Sequence, residues 1–367
     1  MRRAASIWRH FDVGLLATVA VLTIASVAMI RSAIAGNEEL LGLDTRQAIY
    51  GVAGFAVILI TTAIDYRIWS ALSRPLYFIS VASLAMIVLA GVVGFGSARW
   101  FRVGILTVQP SEIAKIIMIL VLADVLSRNK HEIHRPKVIL KSLLVAGLPI
   151  YLVFIQPDLS GAIVLGVIWL ALVWAAGIQL KHIAVLAGIG VALPLVSWPF
   201  LELYQKARLA SFLFPDPEAH YGATYNVNQA LVSIGSGGFF GQGYGQGTQV
   251  QLRFLKVRHT DFIFSAMAEE FGFFGATLLI LGFMFVIYRC LKIASMARDM
   301  FGALICYGVA IMLLFQGAFN IGMNLNLFPV SGLPLPFFSY GGSSLLASLI
   351  GIGLVESVAL RHKTIEL

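Results

Sequence analysis

The chain has 367 residues, 59% of them hydrophobic and 12% charged, with a mean hydropathy of +0.88 and a formal net charge of +8. Soluble domains carry about 25% charged residues, so a soluble globular fold is excluded. The excess of cations follows membrane topology, as set out below, and marks no nucleic-acid surface.

A bilayer core takes about 20 apolar residues per helix, and ten such stretches are predicted, at 12–30, 47–64, 76–94, 110–127, 138–155, 160–176, 183–199, 262–288, 301–323 and 341–360. The first follows Arg2, Arg3 and Arg9 with no small-residue cleavage site after it, and reads as a retained helix. An even number of spans puts both termini on one side. Lys and Arg gather in alternate connections: Arg67 and Arg74; Arg128, Lys130, Arg135, Lys137 and Lys141; Lys181; Arg289, Lys292 and Arg298; Arg361 and Lys363. With the N-terminal arginines these define the cytoplasmic face. Opposite loops hold fewer cations, and the first carries Glu38, Glu39 and Asp44. Cys290 and Cys306 fall near the reducing face, where a disulfide is disfavoured. The expected fold class is therefore an all-α polytopic membrane protein of about ten spans, one domain over 1–367.

Charge is costly inside a bilayer, so ionisable groups in apolar stretches are functional candidates. In QPSEIAK, Pro110 suits the first turn of a helix, and Glu112 and Lys115 lie three residues apart on one face. Such a pair serves either packing or chemistry. In FIQPDLSG, Pro157 is expected to begin a helix, with Asp158 in its first turn, where a carboxylate complements the helix dipole.

One connection breaks the pattern of short loops. Residues 200–261 form a long outward-facing segment that opens with Tyr204, Lys206 and Arg208 in a helix-like stretch and passes through Pro215-Asp216-Pro217 and NVNQALVSI. Seven glycines then lie between Gly235 and Gly247, giving the backbone freedom to approach a ligand or another backbone closely. Phe239, Phe240, Tyr244 and Phe254 are interleaved, which argues for an ordered loop over the membrane surface rather than a linker.

Directly after this loop come Arg258, His259, Thr260 and Asp261, at the outer start of the eighth span. Thr260 is placed to cap that helix, which leaves Asp261 free for an anionic, hydroxyl-rich ligand. Glu269 and Glu270 follow deeper in the same span and need a polar partner, with Lys115 as the candidate. A last outer loop, NIGMNLNLFPVSGLPLPFFSYGGSSLL, is too rich in Pro for regular helix and supplies Ser339, Ser343 and Ser344, which fits a site-lining segment. No Walker loop, GxGxxG after a strand, HExxH or CxxC occurs, which argues against ATP hydrolysis, dinucleotide chemistry and a zinc site.

QPSEIAK, QPDLSGA, IGSGGFFGQGYGQGTQ, RHTDFIFSAMAEEFGFFG and PVSGLPLPFFSYGGSSLL occur in the order expected of the SEDS family of shape, elongation, division and sporulation proteins. The chain resembles that family from its fourth span to its last, and within it the elongation branch. The resemblance implies a peptidoglycan glycosyltransferase that polymerises lipid II at the outer face, with a class B penicillin-binding protein and the elongation machinery as partners. It implies Asp261 as the catalytic carboxylate, a general base for the attacking sugar hydroxyl. Glu112, Lys115 and Asp158 fall on family positions linked to activity, with Arg258, His259, Ser339 and Ser343 as supporting groups. Cations for the leaving pyrophosphate come from Arg258, Lys115 or a divalent metal such as Mg2+ or Mn2+, a choice the sequence leaves open. The rival readings are a flippase for lipid-linked precursors, which would move lipid without making polymer, and a scaffold, which would be inactive alone.

Overall fold

In lipid every backbone N–H and C=O must find a partner within the protein, so apolar segments of this length fold as helices. The structure, a computed structural model, describes residues 11–90, 92–94, 97–103, 106–179, 182, 188, 199, 201–215 and 222–362. The expected span at 183–199, the cations Arg2, Arg3, Arg9, Lys181 and Lys363, and Asp216 and Pro217 lie outside these residues.

Among the described residues the long helices are α1 (Val13–Ile34), α2 (Leu43–Ala63), α3 (Tyr66–Ala90), α4 (Pro110–Arg128), α5 (Pro136–Ile155) and α6 (Leu159–Ala175). After the outer segment come α10 (Ile263–Met296), α11 (Met300–Asn324) and α12 (Gly342–Leu360). Seven of these, α1, α2, α3, α5, α10, α11 and α12, are long and apolar enough to cross a membrane. Helix α4 has the length but carries Glu112, Lys115, Asp124 and Arg128, and α6 is shorter. Helix α11 packs against α4, α6, α10 and α12. Its most apolar window is 67% buried and that of α12 83%, against 22% for α3, so α11 and α12 form the centre of the bundle and α3 its rim.

Two expectations need correction here. The third helix begins at Tyr66 and ends at Ala90, and a short antiparallel meander follows: β1 (Val92–Gly94), β2 (Ser97–Val103) and β3 (Leu106–Val108). The all-α character holds for the chain as a whole, with this meander as an addition. The long outer segment is also more regular than a loop, since it contains α7 (Leu203–Leu213), α8 (Gly222–Ser236) and a short α9 (Thr248–Gln251).

The glycine-rich stretch serves a specific purpose. Helix α10 breaks at Gly272, whose φ of 65° and ψ of −164° are non-helical. The break takes away the bonds that Phe273 and Phe274 N–H would make to the carbonyls of Glu269 and Glu270. The glycine loop supplies all four replacements: Phe273 N–H donates to Gly238 O at 2.9 Å and Phe274 N–H to Phe239 O at 3.0 Å, while Gln242 and Gly243 N–H donate to Glu269 and Glu270 O, each at 3.0 Å. The approach is so close that a Cβ on Gly241 would lie 2.1 Å from the Glu270 carbonyl oxygen. The close partner of the loop is thus another backbone.

The two buried glutamates complete this seam, and neither faces Lys115 as expected. Glu269 accepts from the N–H of Gln249 (2.8 Å) and Val250 (3.2 Å) and from the Thr248 hydroxyl (3.3 Å), so its carboxylate caps the start of α9. Glu270 accepts from the Ser32 hydroxyl at the outer end of α1. Their partners are amides and two hydroxyls brought by the segment before α10 and by α1.

Gly241 and Gly238 both have positive φ, at 84° and 54°, but a Cβ on Gly238 would meet nothing within 4 Å. Gly238→Ala is therefore expected to cost only the left-handed strain, about 1–2 kcal/mol, whereas Gly241→Ala must also push the seam apart. Thermal unfolding in detergent should show Gly241→Ala as clearly the less stable; equal losses would contradict the seam.

Candidate active site

A turn at the outer end of α10 carries Arg258, His259, Thr260 and Asp261. Helix α10 starts at Ile263 with Phe262 as its N-cap and no side-chain cap. Thr260 does not cap it, since its hydroxyl donates to the Val257 carbonyl at 3.3 Å. The turn is instead gripped through three successive carbonyls. His259 O accepts from Tyr340 N–H at 3.0 Å and Thr260 O from the Ser339 hydroxyl at 2.7 Å. Asp261 O accepts from the side-chain amides of Asn320 (3.2 Å) and Asn324 (3.0 Å). Asn324 also accepts from Ser265 N–H and Oγ, which ties the turn to the first turn of α10. The proline-rich outer loop and the end of α11 thereby fix the backbone of Asp261 and leave its carboxyl group to the site.

That carboxyl group is half-buried. Burial pushes its pKa up to about 6, and the positive charge of Arg208 opposes the rise. Arg208, on α7, and Asp261 converge at Gly332, where a Cβ would sit 3.9 Å from both Arg208 Nη1 and Asp261 Oδ2. The cation expected to serve here, Arg258, points elsewhere: its guanidinium is buried and donates to the carbonyls of Ala33 and Leu255. Arg258 is a strut between the turn and α1. His259 is held neutral, its pKa lowered to about 4 by burial and then by the charge of Arg258, so it supplies no positive charge at neutral pH.

The remaining candidates gather on the neighbouring side. Lys115 Nζ lies 2.7 Å from Glu112 Oε1 and both are buried, at 1% and 7% exposure. Gln109, just before α4, accepts from Glu112 N–H at 3.1 Å and links their helix to the others: its N–H donates to the Ser343 hydroxyl at 3.0 Å and its side-chain amide to Asp158 Oδ2 at 3.4 Å. Asp158 is the N-cap of α6, accepting from Gly161 N–H at 3.0 Å, and Pro157 lies outside the helix it was expected to begin. Asp158 and Arg208 line one cleft of about 100 Å3, together with Ser160, Gln205 and Ser331. Arg208 is thus the element common to Asp158 and Asp261.

Sequence reasoning passed over Arg208, Gln109, Asn320 and Asn324. The asparagines had a local signal, two amides four residues apart in an apolar helix and so on one face. Arg208 had none, since only the fold of the outer segment brings it to Asp261. Among the described residues no three His, Cys, Asp or Glu side chains gather as a metal-binding set.

The FtsW, RodA and SpoVE family, described as cell cycle protein, matches residues 8–364. The chain is 34% identical to the peptidoglycan glycosyltransferase MrdB of Escherichia coli, over 97% of this chain and 95% of that one. It is also 34% identical to a probable peptidoglycan glycosyltransferase FtsW of Trichlorobacter lovleyi, over 95% and 93%. Among solved structures it is similar to RodA of Thermus thermophilus, with a TM-score of 0.72, 31% identity and coverage of 95% and 96%. It is similar as well to a chain of a peptidoglycan synthase complex described as coordinating polymerization and crosslinking, with a TM-score of 0.82, 31% identity and coverage of 96% and 98%.

Removing one partner of a buried ion pair strands the other charge, at about 3–5 kcal/mol, whereas replacing both by apolar groups is far milder. Lys115→Met alone is accordingly expected to destabilise by about that amount, and Glu112→Leu with Lys115→Met to recover most of it. A double-mutant cycle of thermal stability checks this; additive losses would mean that the pair carries no coupling.

Proposed function

The chain belongs to the FtsW, RodA and SpoVE family of cell cycle proteins and is a peptidoglycan glycosyltransferase, and on that premise we propose that its chemistry centres on the Asp261 carboxylate. The observation that carries this is the placement of one half-buried carboxyl group on a rigidly held turn, with the charge of Arg208 acting on it.

The substrate reading is lipid II, a disaccharide-pentapeptide on undecaprenyl pyrophosphate. Polymerisation forms a bond from the 4-hydroxyl oxygen of one lipid-linked sugar to the anomeric carbon of another, and the bond from that carbon to the pyrophosphate oxygen breaks. Asp261 accepts the hydroxyl proton as the bond forms, and the electron pair leaves with the pyrophosphate. A general base of this kind contributes about 100- to 10,000-fold, and a pKa near 6 leaves most of the carboxyl ionised at neutral pH. Arg208, which converges with Asp261 at Gly332, is the cation assigned to the leaving phosphates. Arg258 and His259 support the turn, Ser339 and Ser343 hold backbone, and Glu112, Lys115 and Asp158 form the wall on the α4 and α6 side.

Similarity to RodA and MrdB supports work in cell elongation. Similarity to a chain of a synthase complex that couples polymerization to crosslinking supports a class B penicillin-binding protein as partner. The ten-span reading, with cytoplasmic termini and an extracytoplasmic site in the inner membrane, rests on the alternation of cations along the chain. It puts the turn of Asp261 and the outer ends of α1 and α11 at the surface where lipid-linked sugar is displayed.

Purified protein supplied with lipid II should make glycan polymer, and Asp261→Asn should lose at least about 100-fold of that rate. Normal polymerisation by folded Asp261→Asn would remove the assignment, and lipid movement without polymer by the parent protein would favour a flippase. The pKa of Asp261 is raised on folding, so its ionised form is disfavoured in the folded chain above about pH 6 and relieved below it. Asp261→Asn should therefore be at least as thermally stable as the parent at pH 7.

The parent rate should fall as pH drops through about 6, where the base becomes protonated. Because Arg208 lowers that pKa, Arg208→Gln should move the acid limb of the rate profile to higher pH; an unmoved limb would break the link between the two groups.

A further inference from the structure

A cavity lies away from Asp261. It is a groove of about 700 Å3 between α1 and α2, within the range of small-molecule sites, and it opens laterally towards the surround of the bundle. On α1 it runs from Ala20 to Arg31, and on α2 from Asp44 to Phe55. Either run of eleven residue steps covers about 16 Å of helix, close to half of a ~30 Å hydrocarbon core. The groove is therefore one leaflet deep.

Its charged end is fixed by contacts already described. Arg31 sits one residue before Ser32, which holds Glu270, and two before Ala33, whose carbonyl takes Arg258. The mouth thus lies at the level of the turn that carries Asp261. Arg31 and Asp44 are the two charged residues of the lining, on opposite walls at this end, and neither has an ion-pair or side-chain hydrogen-bond partner among the described residues. Tyr244 closes the mouth by donating its hydroxyl to the Ala28 carbonyl at 2.8 Å. Below it the walls are apolar, with Ile24 and Val52 69% and 75% exposed to whatever fills the space.

We propose that the groove between α1 and α2 binds a zwitterionic aminophospholipid, with an acyl chain along the apolar walls, the phosphate at Arg31 and the ethanolamine ammonium at Asp44. Charge complementarity selects this occupant. One cation facing one carboxylate matches a headgroup with one phosphate and one ammonium. A phosphatidylglycerol headgroup leaves the carboxylate unmatched, and a quaternary choline cannot donate a hydrogen bond to it. A lipid pyrophosphate brings more negative charge than the net-neutral mouth can balance. The site is separate from the one assigned to polymerisation and does not depend on the role of Asp261.

The test uses the full chain in mixed micelles with equal amounts of phosphatidylethanolamine, phosphatidylcholine and phosphatidylglycerol, with retained lipid counted by native mass spectrometry after washing. The parent should keep the ethanolamine lipid about tenfold over the other two, the size expected from one charge-assisted hydrogen bond. Asp44→Asn should remove that preference, Arg31→Gln should lower retention of all three, and Ala48→Phe, which fills the groove, should abolish it. Ala28→Leu serves as a milder filling variant should Ala48→Phe fail to fold, with lipid II polymerisation as the check that each variant is intact. Retention of the ethanolamine lipid by either folded filling variant would overturn the proposal. Equal retention of phosphatidylglycerol by the parent would do the same, as would displacement of the bound lipid by undecaprenyl pyrophosphate, which would make the groove a substrate site.

Discussion

A helix that breaks at bilayer depth exposes backbone groups that lipid cannot satisfy. At Gly272 four such groups appear together, and all four are paired to the glycine-rich loop. This single requirement organises the end of the protein that carries Asp261. It fixes the path of residues 238–243 against α10, and the Glu269 carboxylate then pins the next stretch by capping α9. The chain from the loop to the start of α10 is thereby held at both ends by the same helix. Asp261 lies in that span, so its position follows from the seam.

A second set of bonds fixes its orientation. Successive carbonyls of the turn are taken by groups from two places: Tyr340 and Ser339 of the proline-rich loop, and the asparagines of α11. Networks of this kind, closed by groups from different elements, rigidify in proportion to how fully they are satisfied. The carboxyl group is spared from structural work and answers mainly to burial and to Arg208. Burial makes it a stronger base, and the cation keeps it ionised in the neutral range. A catalytic base needs both effects at once.

The parts of this arrangement that were legible in the sequence are the local ones. Glu112 with Lys115, and the N-terminal proline of α4, follow from helix geometry over a few residues, and Asp158 as a helix-start carboxylate follows from the same logic. The apolar stretches were legible because composition alone dictates helix in lipid. What was not legible is direction. Arg258 and Asp261 are three residues apart, yet a turn sends their side chains to different neighbours, so adjacency in sequence suggested a cluster that space does not contain. Glu269 and Glu270 invited a search for a cationic side chain, whereas the groups that receive them are backbone amides and the hydroxyls of Thr248 and Ser32. Glycine freedom was read correctly as permitting close approach, but only the fold shows that the approach is to α10.

Helix α1 connects the two halves of the molecule's outer chemistry. Its last turn receives Arg258 at Ala33 and Glu270 at Ser32, so it is one of the walls against which the turn that carries Asp261 is braced. Its other face forms the groove that ends at Arg31 and Asp44. Lipid in that groove would press on the bracing helix without meeting the reactants. The two sites also differ in what surrounds their carboxylates: at the groove mouth Asp44 lies across from Arg31, while Asp261 is half-buried beside Arg208 and mostly ionised at neutral pH. An enzyme whose substrate is itself a lipid works amid a large excess of ordinary phospholipid. Placing the groove on one face of α1 and the turn of Asp261 against the other separates the two populations in space, at a point where their hydrocarbon chains are alike.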